Sequence, residues 1–151
     1  MVTVTGATGV SLLQVVAATG CGLVAGLLFV FSAGVLTALG RLPADDGAVA
    51  MRAVNAAVLN PLFLGVFVGT AVVCAVLVVA VAVGGGPVTA AVAGVLYLVG
   101  VLGVTVAVNV PLNEALAAGR VGWADYRRRW GRWNHVRTTA ATVALVLLVA
   151  A

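Results

Sequence analysis

The chain reads as an all-α, polytopic membrane protein, with four transmembrane helices in a bundle and a short interfacial helix after the first span. Three observations predict this. Hydrophobic residues make up 64% of the 151 residues and charged residues only 8%, and mean hydropathy is +1.25. That is more apolar residue than a soluble fold with a surface to cover would carry. The apolar residues fall in runs at least as long as the ~20 residues that cross a bilayer. The net charge of +4 comes from eight arginines, with no lysine, against four acids, and these charges gather on one side of the predicted spans.

The first span is expected over about 10–39. It carries no charge, one strongly polar residue (Gln14), and Gly20, Gly22, Gly26 and Gly34, small residues that let helices approach closely. A cleaved signal peptide is not expected, because there is no basic n-region and the apolar run is too long. Arg41 marks an interface. Pro43, Asp45 and Asp46 then read as a helix N-terminus, with acids near its positive dipole end. An interfacial helix is expected over about 44–59, where Met51, Val54, Val58 and Leu59 recur at helical spacing and Arg52 and Asn55 share another face. Asn60-Pro61 marks a boundary or kink, and a second span is expected over about 60–83.

Gly84-Gly85-Gly86-Pro87 is a tight, uncharged turn. The third span, about 88–110, includes Tyr97 and is predicted to break or bend at Pro111. Asn109 and Asn113 share a face if helical geometry survives there. A short glycine-containing loop follows. One helix is then predicted from about Trp123 to Ala151, its membrane part covering about 134–151. The whole chain, 1–151, is one membrane domain. The charged loops are expected in the cytoplasm and both termini outside. Cys21 and Cys74 lie in apolar runs without metal-ligand spacing and are read as small core residues, a disulfide or redox pair being the other reading.

Arg52, Asn55, Asn60, Asn109, Asn113, Asn134, His135 and Arg137 come from separate segments yet fall at about the same depth. All five asparagines of the chain are among them. Polar groups at a membrane edge are expensive and usually face the bundle interior. The amides can equally cap helix ends or join helices, Trp123, Trp130 and Trp133 fit an interfacial aromatic belt, and Arg127–Arg129 and Arg132 fit headgroup contact. As a site, His135 supplies a general base, while asparagine amides and Arg137 supply donors for a developing oxyanion. That combination suits proton abstraction from a flat, apolar, phenolic or carbonyl-bearing molecule. One histidine without a carboxylate or cysteine cluster gives too few ligands for a metal, and it precludes bis-histidine haem ligation within the chain. No nucleotide-binding glycine motif is present, and no nucleic-acid partner is expected.

Phe29-Val30-Phe31-Ser32-Ala33-Gly34-Val35, Val58-Leu59-Asn60-Pro61-Leu62-Phe63, Asn109-Val110-Pro111-Leu112-Asn113, and Trp130 with Arg132-Trp133-Asn134-His135-Val136-Arg137-Thr138 resemble the small four-helix membrane proteins of the anthrone-oxygenase-like family. The resemblance extends over nearly the whole chain. It implies oxidation of anthrones to anthraquinones with molecular oxygen and without a cofactor, in a protein of the bacterial plasma membrane. On that reading His135, Asn134, Arg137 and Asn109 are catalytic. His135 takes the ring-methylene proton, and the amides or Arg137 stabilise the phenolate. Asn113, Asn60, Asn55, Arg52, Trp130, Trp133 and Tyr97 are the expected substrate-binding residues. The expected partners are an apolar aromatic small molecule, oxygen, membrane lipid and a second copy of the chain, through the glycine-rich first span. Two other readings fit the same residues: a quinone- or lipid-binding protein, and a non-enzymatic membrane partner or transport subunit. Polar residues crowded at one end, with no internal repeat, count against a transporter.

Overall fold

The computed structural model describes the backbone of residues 3–151 and the side chains of residues 11–151; Val10, the expected start of the first span, falls outside the described side chains. Among the described residues every regular element is helical. A first long rod is made of α1 (Thr3–Val30), a π-helical segment (Phe31–Val35) and α2 (Leu36–Leu39). It is followed by α3 (Ala44–Val58) and α4 (Pro61–Gly84). A second composite rod is made of α5 (Val88–Leu96), two π-helical segments (Tyr97–Gly103 and Thr105–Asn109) and α6 (Val110–Ala117), and α7 (Trp123–Val149) completes the chain.

The rods close into a ring in which α1 packs on α4, α4 on α5, α5 on α7, and α7 back on α1, while α3 lies across α6 and α7. The turn from α4 to α5 needs glycine, because Gly85 and Gly86 have φ of 76° and 146°, values other residues rarely adopt. At the bundle centre small side chains let the helices approach: Ala17, Cys21, Ala71, Cys74, Ala90, Ala93, Ala141 and Ala144 are all buried. A Cβ on Gly94 would lie 2.9 Å from the Cys74 carbonyl oxygen, so the α4–α5 contact depends on glycine there. Cys21 and Cys74 are free thiols in this core. A second apolar cluster, with Phe31, Met51, Leu112, Tyr126 and Trp130, fills the end beneath α3.

The outer surface is apolar. Leu62, Val83, Val88 and Val149 are each at least 73% exposed, the inverse of a water-soluble exterior. Three helices are long and apolar enough to cross a membrane: Ser11–Leu39, Pro61–Gly84 and Val88–Ala117. At ~1.5 Å per residue, each exceeds a ~30 Å hydrocarbon core. α3 and α4 begin and end within a residue of the bounds expected for the interfacial helix and the second span.

One expectation needs correction. The second composite rod does not break at Pro111 but continues to Ala117. Pro111 sits in the first turn of α6, directly after a π-helical segment, where the missing N–H falls at a point of re-registered hydrogen bonding. By length and apolarity three of the helices qualify as spans. α7 is 27 residues long, but Arg127, Arg128, Arg129, Arg132, Asn134, His135 and Arg137 make its first half too polar to qualify.

Candidate functional site

α7 buries one stripe, Tyr126, Trp130, Asn134, Arg137, Ala141, Ala144 and Leu148, spaced by threes and fours as one helix face requires. That stripe carries two strongly polar residues into the bundle. Asn134 is fully buried. Its Nδ2 donates to the Leu28 carbonyl at 2.8 Å and to Ser32 Oγ at 2.8 Å, and its Oδ1 accepts from Arg137 Nη2 at 2.8 Å. Leu28 and Ser32 flank the start of the Phe31–Val35 π segment, where the hydrogen-bond ladder changes register; such segments recur at functional sites. Thr138 Oγ1 lies 3.4 Å from Ser32 Oγ and donates to the Asn134 carbonyl at 2.8 Å.

Arg137 is 5% exposed. Its Nη1 donates to Thr105 Oγ1 at 3.0 Å, and its guanidinium carbon lies 5.1 Å from the centre of the Trp130 ring, a cation–π contact. All these partners are neutral. The ion pair among the described residues is Arg128–Asp125, on the surface at 2.7 Å. A buried cation with no anion beside it carries a desolvation penalty of several kcal/mol, and three good neutral contacts return only part of it.

Beside Arg137 lies a cavity of about 380 Å³ between the first rod, α3, α4, the second composite rod and α7. Phe31, Phe63 and Phe67 supply much of its apolar wall, and Arg52, Asn55, Thr105, Asn113, Glu114, Trp130 and Arg137 supply its polar groups. Its volume lies within the ~300–1,000 Å³ range of small-molecule sites. Trp130 and Arg137 each keep one buried N–H, on Nε1 and Nε, without a protein acceptor. Asn109, 2% exposed, has no protein partner for either side-chain atom. Unpaired groups of this kind are rare in interiors.

At the α3 end, Tyr126 ties two amides together: its hydroxyl donates to Asn113 Oδ1 at 2.8 Å and accepts from Asn55 Nδ2 at 3.3 Å. Burial pushes its phenol above the ordinary range, against the opposing pull of the Asn55 hydrogen bond and the Arg137 charge. Trp123, Tyr126 and Trp130 follow along α7 with centroid separations of 5.8 and 6.4 Å.

The structure therefore gathers Arg52, Asn55, Asn113, Trp130 and Arg137 around one cavity, with Asn134 supporting Arg137 from behind. It does not bring the other expected residues to that wall. His135 is exposed, because it lies one position off the buried stripe, and Trp133 is 41% exposed for the same reason. Asn60 caps α4, with Oδ1 accepting from the Phe63 N–H at 2.9 Å and Nδ2 donating to the Ala57 carbonyl at 3.0 Å. Tyr97 is buried in the bundle centre and donates to the Phe67 carbonyl at 3.0 Å. Asn109 is buried next to the site without lining it. Thr105, Tyr126 and Glu114 are additions that sequence reasoning missed. Glu114 had a signal: it is the one acid within a long apolar segment, adjoining Asn113. Among the described residues no three His, Cys, Asp or Glu side chains come together.

The family model described as anthrone oxygenase matches residues 62–147, which span α4 through nearly all of α7 and include Thr105, Asn113, Glu114, Trp130, Asn134 and Arg137. No curated protein and no solved structure matches the chain.

Proposed function

The chain belongs to the anthrone oxygenase family, and from that premise we propose that it is a membrane oxygenase of anthrone-like polycyclic phenols, the cavity at Arg137 being its substrate site. One observation carries the reading: a buried guanidinium that has only neutral partners and an Nε–H with no acceptor, set in an apolar cavity with an unpaired indole N–H beside it. Such a site favours a flat apolar molecule that presents an oxygen anion, because the ligand then brings the missing countercharge.

An anthrone is a carbon acid of this type. Loss of a ring-methylene proton places the electron pair on the carbonyl oxygen, and Arg137 would stabilise that anion with Trp130 Nε1–H as a second donor. Asn134 and Thr105 hold the guanidinium in place. The carbanion form can reduce oxygen directly, giving a hydroperoxide at the former methylene carbon that loses water to leave the quinone. One anthrone and one oxygen give one anthraquinone and one water. This route asks no cofactor of the protein. Both reactants partition into hydrocarbon, in keeping with the lipid-like exterior.

The fuller topology is part of the same proposal. α7 would cross as a fourth span from about 134, with its arginines at the cytoplasmic headgroups and both termini outside. The packing of α7 along α1 and α5 supports it.

The test is oxygen uptake and anthraquinone formation from a panel of anthrones, using purified, metal-chelated protein in detergent. Wild type should turn over and R137M should lose turnover while remaining folded. Absence of turnover on every anthrone, from protein that still binds anthraquinones, would replace the oxygenase with a quinone-binding protein.

A further inference from the structure

We propose that Glu114 is the catalytic base of this cavity, the group that takes the proton from a carbon acid bound against Arg137. The inference rests on the carbon-acid reading of the site given above. A cavity that stabilises its ligand as an anion must also give the departing proton somewhere to go. The candidates on its wall are few. Arg52 and Arg137 arrive protonated, and Asn55 and Asn113 are amides. Trp130 is a donor only, and Thr105 already donates its hydroxyl hydrogen to the Val101 carbonyl at 2.7 Å. The remaining wall is hydrocarbon, apart from the Glu114 carboxylate, an acceptor-only group when ionised.

Its place in the fold meets the second requirement of a base, which is a route out of the cavity. Glu114 lines the cavity and is at the same time exposed, so one carboxylate can face the bound carbon acid and still pass its proton outward. No ion pair ties it down among the described residues, although Arg52 of α3 lines the same cavity. Arg137, by contrast, is buried. The cavity is thus polarised, with a fixed cation inside to hold the anion and an exposed acceptor at its rim. His135, one position off the buried stripe, does not reach this wall.

The step balances without oxygen. The ring-methylene C–H bond breaks, its electron pair moves onto the carbonyl oxygen facing Arg137, and the proton ends on a Glu114 carboxylate oxygen. Because no oxidant is consumed, it can be measured by itself. Anthrone is incubated anaerobically with the purified full-length chain in deuterated buffer, and deuterium at the methylene is followed above the buffer rate. Anthraquinone binding is followed separately by quenching of tryptophan fluorescence.

Wild type should accelerate exchange. E114Q should lose roughly a hundredfold or more of that acceleration while still binding anthraquinone, and E114D should recover part of it. If E114Q loses binding as well, E114D decides: a variant that binds and exchanges supports the base, and one that binds without exchanging overturns it. The inference is also overturned if wild type does not accelerate exchange, if E114Q exchanges like wild type, or if H135A abolishes exchange and E114Q does not. Exchange that depends on Glu114 without any oxygen uptake in air would keep the base and remove the oxygenase. Oxygen uptake lost in R137M and untouched in E114Q would do the reverse.

Discussion

Replacing Arg137 by methionine should leave the protein about as stable as before, whereas replacing Asn134 by alanine should not, and the two together should be far from additive. Asn134 makes one charge-assisted hydrogen bond, to Arg137 at 2.8 Å, and two neutral ones, to the Leu28 carbonyl and Ser32 Oγ. A bond to a charged group contributes ~1.5–3 kcal/mol, and interhelical neutral bonds in membranes average ~0.6 kcal/mol. N134A should therefore lose roughly 3 kcal/mol. R137M loses its bonds to Asn134 and Thr105, but it also removes a desolvation penalty of several kcal/mol for a buried cation without a counter-ion, for a net change within about 1 kcal/mol. In the double variant no cation needs the missing amide oxygen, so the loss falls to about 1 kcal/mol, the two neutral bonds. The double variant should thus be about 2 kcal/mol more stable than the sum of its parents, a coupling expected only of groups in direct contact. Reversible unfolding of the four proteins in mixed micelles, without added ligand, measures it. Additivity within about 0.5 kcal/mol, or a loss of 3 kcal/mol by R137M alone, would refute the picture of a guanidinium held against its own desolvation for the sake of a ligand.

Two further outcomes follow from the same end of the bundle. Y126F should lose about 1 kcal/mol by leaving Asn113 Oδ1 without its donor, and it should also alter the alkaline limb of stability. The folded protein holds the Tyr126 phenol protonated to higher pH than the unfolded chain does. Its contribution is therefore complete below an unfolded pKa of about 10 and is lost as pH rises through the folded value. Unfolding midpoints compared across about pH 8 to 11 should show wild type losing stability more steeply than Y126F; parallel curves would count against it. N109L should raise stability by about 1 kcal/mol, since both buried atoms of Asn109 lack protein partners. A fall in stability on thermal unfolding would mean that Asn109 has a partner the structure does not reveal.

The membrane class, the position of three long helices and the interfacial helix were legible in the sequence because they depend on run length and on single punctuating residues such as Pro43, Pro61 and Gly84–Pro87. The polar cluster was legible as a set, since burying several amides and an arginine in an apolar chain asks for mutual contact. Its membership was harder to read. Asn134 and Arg137 were distinguishable from His135 and Trp133 only by the three-and-four stripe that begins at Tyr126 and ends at Leu148. Asn60 carried a cap signature in the proline that follows it, and that local role is the one it fills. Pro111 misled because the π segment before it, which lets the helix run on, depends on packing rather than on any residue type. Glu114 is not legible as a site residue, because a cavity formed by five separate segments cannot be seen along one of them.

The bond from Asn134 to the Leu28 carbonyl joins residues 106 positions apart, which has a consequence for how the protein is made. Contacts of that separation are slow to form, and a growing chain reaches them late. The helices before α7 can insert and pair in turn, but until α7 arrives, Leu28, Ser32 and Thr105 lack the partners that complete the site. No partly synthesised bundle can hold a substrate, and a compound that fills the cavity lends its binding free energy only to the fully assembled protein. Added during expression, such a compound should increase the amount of protein that survives without altering the earlier stages of insertion.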